Sequence, residues 1–270
     1  MTARPQEPVA LHRDVLRTLR REAALGLLYP RRCPLCGEVL GFAADHPACR
    51  PVYERLLRKQ KRLSPAGYYL GGLAGAAAVF SYEDEIRAAV LQMKYGGARW
   101  YGRDCGNWMA KELFGCTFFR KYGILIPERA FSAGLEYDVV VPVPGSGRGR
   151  GYNVPALLAQ PLALGLGCPL EPDGLVRRRG GRRQAGLPLE ERLVNVAGAF
   201  SAGPGAGRVE GRRVLLVDDV ITSGATAAAC AQALLAAGAE SVFAVGLAAA
   251  DPADRRPGKR SAAARLWRRA

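Results

Sequence analysis

The run Val214-Leu-Leu-Val-Asp-Asp-Val-Ile-Thr-Ser-Gly-Ala-Thr226 constrains this chain more than any other stretch. Its apolar residues read as a strand in a sheet interior, and two adjacent acids, Asp218 and Asp219, stand where that strand must emerge. Ligands of open α/β sheets collect at the carboxyl ends of strands. Small residues follow at once. Thr222, Ser223, Gly224, Ala225 and Thr226 let successive backbone N–H groups converge on one anion, and the helix that starts behind them aims its amino-terminal dipole at the same point. The hydroxyls of Thr222, Ser223 and Thr226 add donors. A capped helix explains Thr222 and Gly224 but not paired carboxylates ending a core strand. An anion cradle beside two carboxylates suits a phosphorylated sugar, with amides on the phosphate and carboxylates on the hydroxyls.

The surrounding pattern fits an open, mostly parallel sheet with flanking helices, since short strands alternate with helices. Strands are predicted at Ala76–Tyr82, Asp138–Val141, Gly174–Arg177, Arg213–Val217 and Ser241–Leu247, and helices at Glu83–Lys94, Val154–Leu166 and Ala225–Ala237. Ahead of them lie an amphipathic segment, Leu11 to Leu28, and a short basic helix, Val52 to Lys61. The Pro/Gly-rich Ser64–Gly75 reads as a boundary. The expected division is therefore residues 1–63 as an N-terminal helix and cysteine module, 76–250 as the α/β domain, and 251–270 as a basic, disordered tail.

Cysteine usage separates that first module from the rest. Cys33-Pro-Leu-Cys36 and His46-Pro-Ala-Cys49 form two knuckles, while the other four cysteines are scattered. Each tight turn aims two soft or borderline donors at one point, and Zn²⁺ accepts four in a tetrahedron. With all four positions filled by protein, no place is left for a catalytic water, so the zinc expected here is structural. Gly37 sits where the chain reverses. A thioredoxin-like redox pair fits poorly, because no strand precedes Cys33 and a second knuckle follows.

Charge narrows the partners. The 39 Lys and Arg residues against 24 acids give +15. Seven of those positive charges lie between Arg255 and Ala270, and subtracting them still leaves +8. Such a balance favours phosphate esters or nucleic acid. No apolar run approaches the length of a membrane helix, and the N-terminus lacks the apolar centre of a secretory signal, so a cytoplasmic protein is expected. No Ser-His-Asp, Gly-x-Ser-x-Gly or Walker pattern is present. Trp100, Tyr101 and Trp108 lie near basic residues and read as core packing, with stacking on nucleobases as the alternative.

The Val214–Thr226 run resembles the 5-phosphoribosyl-1-pyrophosphate (PRPP) signature of type I phosphoribosyltransferases. Val141-Pro-Val-Pro-Gly-Ser-Gly147 is similar to the pyrophosphate loop of amidophosphoribosyltransferase-like proteins. Arg148-Gly-Arg-Gly-Tyr-Asn153, Arg179, Gln184-Ala-Gly-Leu187, Glu191-Arg-Leu-Val-Asn195, Lys94-Tyr95-Gly96 and the cysteine knuckles resemble the ComF family, with Val154 where such proteins usually carry Gln. His46 likewise stands where that family commonly has a fourth cysteine. The resemblance spans Leu27 to Leu247 and implies a type I phosphoribosyltransferase-like α/β domain with an N-terminal zinc module.

It implies roles as well. Asp218 and Asp219 would hold the ribose hydroxyls, directly or through Mg²⁺, and Thr222 to Thr226 would cradle the 5-phosphate. Pro142, Val143, Pro144, Gly145, Ser146 and Gly147 would meet the pyrophosphate. Arg148, Arg150, Arg179, Gln184 and Arg192 would belong to a flexible loop and its basic contacts. Partners implied are PRPP or another phosphorylated ribose, and, through the family's association with natural competence, single-stranded DNA and other DNA-handling proteins. Two readings stay open: a phosphoribosyl-transferring enzyme whose acceptor the sequence does not supply, and a non-enzymatic DNA-binding protein or PRPP sensor.

Overall fold

The computed structural model describes residues 31–40, 43, 46–121, 124–128, 137–145, 151–178 and 198–252. The expected helix at Leu11–Leu28, the residues 146–150 and 179–197, and the tail beyond 252 lie outside them.

In chain order the regular elements are α1 (Arg50–Leu56), β1 (Gly75–Ser81), α2 (Asp84–Tyr95), α3 (Tyr101–Phe114), β2 (Thr117–Lys121), β3 (Ile124–Glu128), β4 (Val139–Pro142), α4 (Val154–Leu166), β5 (Leu175–Arg177), β6 (Phe200–Ala202), β7 (Arg213–Ile221), α5 (Ala225–Ala236) and β8 (Ser241–Ala249). Four strands form one parallel sheet in the order β1-β8-β7-β4. Its register sets Val141 beside Leu216 and Leu216 beside Ala244. The strands are buried nearly end to end, as a sheet covered on both faces requires.

Alternation along β7 sorts its side chains between two cores. Leu215 and Val217 face a layer made by α2, α3 and α4, with Val90, Met93, Met109, Leu158 and Leu162. Val214 and Leu216 face α5 and the β5–β6 hairpin, with Ala227, Cys230, Leu234, Leu175 and Phe200. The Ala-rich α5 lies on the sheet through small side chains, so hydrophobic burial rather than helix amphipathicity holds it there.

Three local features differ from the sequence reading. The helix expected to reach Lys61 stops at Leu56, and residues 58–63 run antiparallel along β1, with Arg58 N donating to Val79 O (2.9 Å), Ala78 N to Lys61 O (2.9 Å) and Leu63 N to Ala76 O (2.8 Å). Covering an exposed sheet edge and burying Leu63 outweighs about one and a half more turns of helix. The strand at Gly174–Arg177 forms as Leu175–Arg177 but pairs antiparallel with β6, outside the main sheet. Helix α3 and the β2–β3 hairpin have no counterpart in that reading; the buried face of α3 is built largely from Gly102, Asp104, Cys105, Gly106 and Asn107 rather than from large aliphatic residues.

Candidate functional site

Parallel strands bring several loops to one end of the sheet, and a crevice of about 540 Å³ opens there. Strand β7 runs further than expected, to Ile221, so Asp218 and Asp219 lie within its carboxyl-terminal half rather than in the loop. Both are nearly buried, 9% and 5% exposed. An Oδ1 of Asp218 accepts the backbone N–H of Asp219 (2.8 Å), and Lys94 Nζ, from the last turn of α2, donates to Asp219 Oδ1 (2.7 Å). Burial, and then the neighbouring Asp219 carboxylate, push Asp218 up to about 7 although Lys94 opposes them. Burial works against the Lys94 ammonium, yet the Asp219 carboxylate outweighs it and raises Lys94 above the ordinary lysine range.

Beyond β7 the chain turns through Thr222–Gly224 into α5. Gly224 caps this helix with φ +85°, a conformation side chains rarely adopt. Tyr69 crosses behind the turn. Its N–H donates to Ser223 O (2.8 Å), and a β-carbon on Gly224 would sit 2.3 Å from Tyr69 O. The first-turn amides of α5 have no intrahelical acceptor, so the turn presents N–H groups and a positive dipole end to the crevice. Thr222 and Thr226 line it; Ser223, Gly224 and Ala225 are buried and do not line it, and Ser223 Oγ accepts from Ala225 N (3.4 Å). Gly224→Ala is therefore expected to cost about 3 kcal/mol of stability, from strain and the Tyr69 collision, measured by denaturant unfolding.

The other wall comes from the segment after β4. Val143 N donates to Val217 O (2.8 Å), prolonging the β4–β7 pairing, and Asn153 Nδ2 donates to Val143 O (2.9 Å). Val143, Pro144 and Gly145 line the crevice, whereas Pro142 is buried within β4. Ser146, Gly147, Arg148, Arg150, Arg179, Gln184 and Arg192 lie outside the described residues. Arg177, at the end of β5, faces the crevice with its guanidinium 5.3 Å from the Phe200 ring centre. The structure thus gathers Asp218, Asp219, Thr222, Thr226 and Val143–Gly145 around one volume.

Tyr82 lines the same crevice, as do Lys94, Tyr152 and Asn153, which the sequence shows as parts of family-like motifs without a role for each. A lysine in the last turn of an amphipathic helix reads as a dipole partner, and nothing in the spacing says that it meets a carboxylate 125 residues away. The structural role of Tyr152 emerges in three dimensions, where its hydroxyl donates to Met93 O (2.6 Å) and ties α2 to the start of α4.

A second cluster lies in the N-terminal module. Cys33, Cys36, His46 and Cys49 place their donor atoms within 4.8 Å of one another, and His46 Nδ1 lies 3.3 Å from Cys36 Sγ and 3.2 Å from Cys49 Sγ. Tetrahedral zinc with sulfur at about 2.3 Å spaces its ligands by just under 4 Å, so this donor set can hold zinc. Gly37, at φ +81°, makes the reversal that lets its N–H donate to Cys33 O (2.8 Å). Without a cation, burial and the neighbouring thiols push Cys49 up to about 12. The module is fastened to the main domain where Arg31 pairs with the buried Asp104 of α3.

The basic segment Arg55–Arg62 is less free than its composition suggests. Arg55 pairs with Asp84 and Glu85, and Lys61 Nζ donates to Glu112 (2.6 Å), which also accepts from Tyr53 Oη. Trp108 packs edge-on against Tyr53 and Phe80, and Tyr101 is buried, so both serve the core. Trp100 is 50% exposed. No helix among the described residues is long and apolar enough to cross a membrane.

A family model described as the phosphoribosyl transferase domain matches residues 120–263. The DNA utilization protein YhgH of Salmonella typhi is 36% identical over 221 residues, covering 78% of this chain and 80% of that protein. The protein of the same name in Salmonella typhimurium is 39% identical over 115 residues, 41% of this chain and 49% of the relative. Competence protein F of Haemophilus influenzae is 38% identical over 101 residues, 37% and 44% respectively. The matched part thus spans less than half the length of the last two. Among solved structures, a glutamine PRPP amidotransferase from B. subtilis aligns at 26% identity and a TM-score of 0.33, over 54% of this chain and 26% of that one.

Proposed function

The chain belongs to the phosphoribosyl transferase domain family, and on that footing we propose that its crevice binds PRPP and transfers the phosphoribosyl group to a nucleophile with release of diphosphate. The observation that carries this reading is the buried Asp218–Asp219 pair standing beside the Gly224-capped start of α5. In this reading the 222–226 turn and its amides hold the 5-phosphate, and the two carboxylates fix the ribose hydroxyls. They also place negative charge near C1, where positive charge develops as the bond to diphosphate breaks. The 142–147 segment meets the diphosphate, with Arg177 as a cationic neighbour.

The donor set also fits Mg²⁺, since two carboxylates on adjacent residues already attract one cation, the Lys94 ammonium. When bound with the diphosphate, Mg²⁺ would draw negative charge off the leaving group. Zinc in the Cys33–Cys36–His46–Cys49 cluster has a structural role in this reading. Calorimetry with PRPP tests it directly: binding that requires Mg²⁺ is expected, and a folded, zinc-loaded chain that binds no PRPP overturns it.

A second reading, DNA handling, is favoured by the names of the relatives and by one surface feature. Tyr95, 68% exposed at the crevice mouth, and half-exposed Trp100 flank a segment carrying Arg99, with Arg103 following in the first turn of α3. Exposed aromatics among cations suit stacking on unpaired bases. Single-stranded DNA binding is then expected to weaken steeply with salt and by about tenfold in Tyr95→Ala/Trp100→Ala, as one or two stacked bases are lost. Fluorescence anisotropy over a salt series checks both, and binding indifferent to the two rings sinks this assignment.

A further inference from the structure

Lys94 reaches the carboxylate pair from an element remote in sequence and is held there from several sides. Its Nζ lies 2.7 Å from Asp219 Oδ1, with the lysine side chain 27% and the aspartate side chain 7% exposed. The turn that carries it is fixed by Tyr152 Oη on Met93 O (2.6 Å) and by Gly96 N and Ala98 N on Gln92 O (2.9 and 3.2 Å). Asp218 is engaged elsewhere, with the Asp219 amide, so the ammonium offsets one of two nearly buried negative charges. Tyr82, also lining the crevice, adds no positive charge.

A divalent cation entering this crevice alone would meet Lys94 at close range. Two carboxylates, one ammonium and one divalent cation sum to +1 in a poorly solvated place, where like charges are weakly screened. A diphosphate arriving with the cation reverses that balance, and it offers oxygens to both the metal and the lysine.

We propose that Lys94 is a positioning residue that occupies Asp219 in place of a divalent cation and so makes cation binding conditional on a polyphosphate arriving with it. This rests on the PRPP-crevice reading above and deepens it. Joint entry follows from the geometry: metal and polyanion bind together, and while the crevice is empty the ammonium compensates one of the two carboxylates.

The test uses the full, zinc-loaded chain, so that the cysteine cluster is already filled, with Mn²⁺ and inorganic diphosphate as probes. Calorimetry on the wild type is expected to give weak Mn²⁺ binding alone, tightened by about tenfold or more when diphosphate is present, after allowance for their complex free in solution. In Lys94→Met, and in Lys94→Gln should the first fold poorly, Mn²⁺ alone is expected to bind about tenfold more tightly, because the competing charge is gone. Lys94→Arg keeps that charge and should keep Mn²⁺ binding weak. The gain must vanish in Lys94→Met/Asp219→Asn, which locates it at the carboxylate pair. A neutral variant with unchanged Mn²⁺ affinity, or a wild type that binds Mn²⁺ equally well without diphosphate, overturns the proposal. If PRPP fails to bind while the neutral variants still gain Mn²⁺ affinity, the PRPP reading falls and the role of Lys94 stands. If PRPP binds and the neutral variants gain no Mn²⁺ affinity, the role of Lys94 falls and the PRPP reading stands.

Discussion

Asp218→Asn/Asp219→Asn is expected to lower the affinity for PRPP in the presence of Mg²⁺ by about 100-fold or more, since two charge-assisted contacts are lost at once. The two single variants should differ in stability. Asp218 is buried and costly to ionise, so Asp218→Asn removes an unfavourable charge and should leave the fold as stable or more so at neutral pH. Asp219→Asn removes the carboxylate charge that Lys94 Nζ meets at 2.7 Å and should destabilise by about 1–3 kcal/mol. The pH dependence has a definite sign. Because Asp218 is raised to about 7, its contribution to folding is fully present below the unfolded carboxylate range and lost as pH rises through 7. Ligand binding that needs the ionised carboxylate runs the other way. Affinity should climb by up to about tenfold per pH unit below 7 and level off above it, and Asp218→Asn should flatten the curve. Calorimetry from pH 5.5 to 8.5 decides this; equal affinity for wild type and the double variant would remove the carboxylates from the site.

The parts of the molecule that were readable from the chain are those governed by local rules. The 214–226 run carries its strand, its paired acids and its turn in thirteen consecutive residues, and the structure departs from the expected strand only by extending it to Ile221. Helix α4 falls on its predicted bounds, because its apolar residues and the glycine that ends it are neighbours in sequence. The cysteine knuckles are equally local, since four donors within seventeen residues converge by turn geometry alone. What stayed hidden depends on distant partners. Lys94 acquires its meaning from Asp219, Tyr152 from the Met93 carbonyl, and residues 58–63 from the edge of β1. Helix α3 was obscured for a related reason: its buried face carries Asp104 for Arg31 and small residues where a free-standing amphipathic helix would show leucines.

Removing zinc is expected to produce the largest change in stability. Among the described residues, the module's own hydrophobic cluster consists of Cys33, Leu40 and Cys49 with Leu35 packed against it, too little apolar surface to order the two knuckles unaided. Zinc bound at the cluster would supply the difference, since structural zinc sites contribute on the order of 10 kcal/mol of binding energy at neutral pH. Its loss should reach the main domain through the Arg31–Asp104 pair and through Leu35, which packs against the main core. Asp104 is buried in α3 and pairs with Arg31 at the root of the first knuckle, so release of the knuckle takes the cation away and leaves a buried acid uncompensated. The purified chain should therefore carry one zinc, measured by elemental analysis. A strong chelator should lower its melting temperature by about 10 °C or more, and Cys49→Ser should mimic the chelator. Asp104→Asn separates the two contributions: it should cost less than zinc removal in the metal-loaded chain, and it should shrink the further drop caused by chelation, because the acid that zinc loss would strand is already gone. A chain that carries no zinc, or that melts at the same temperature with and without chelator, would contradict a structural metal at this cluster.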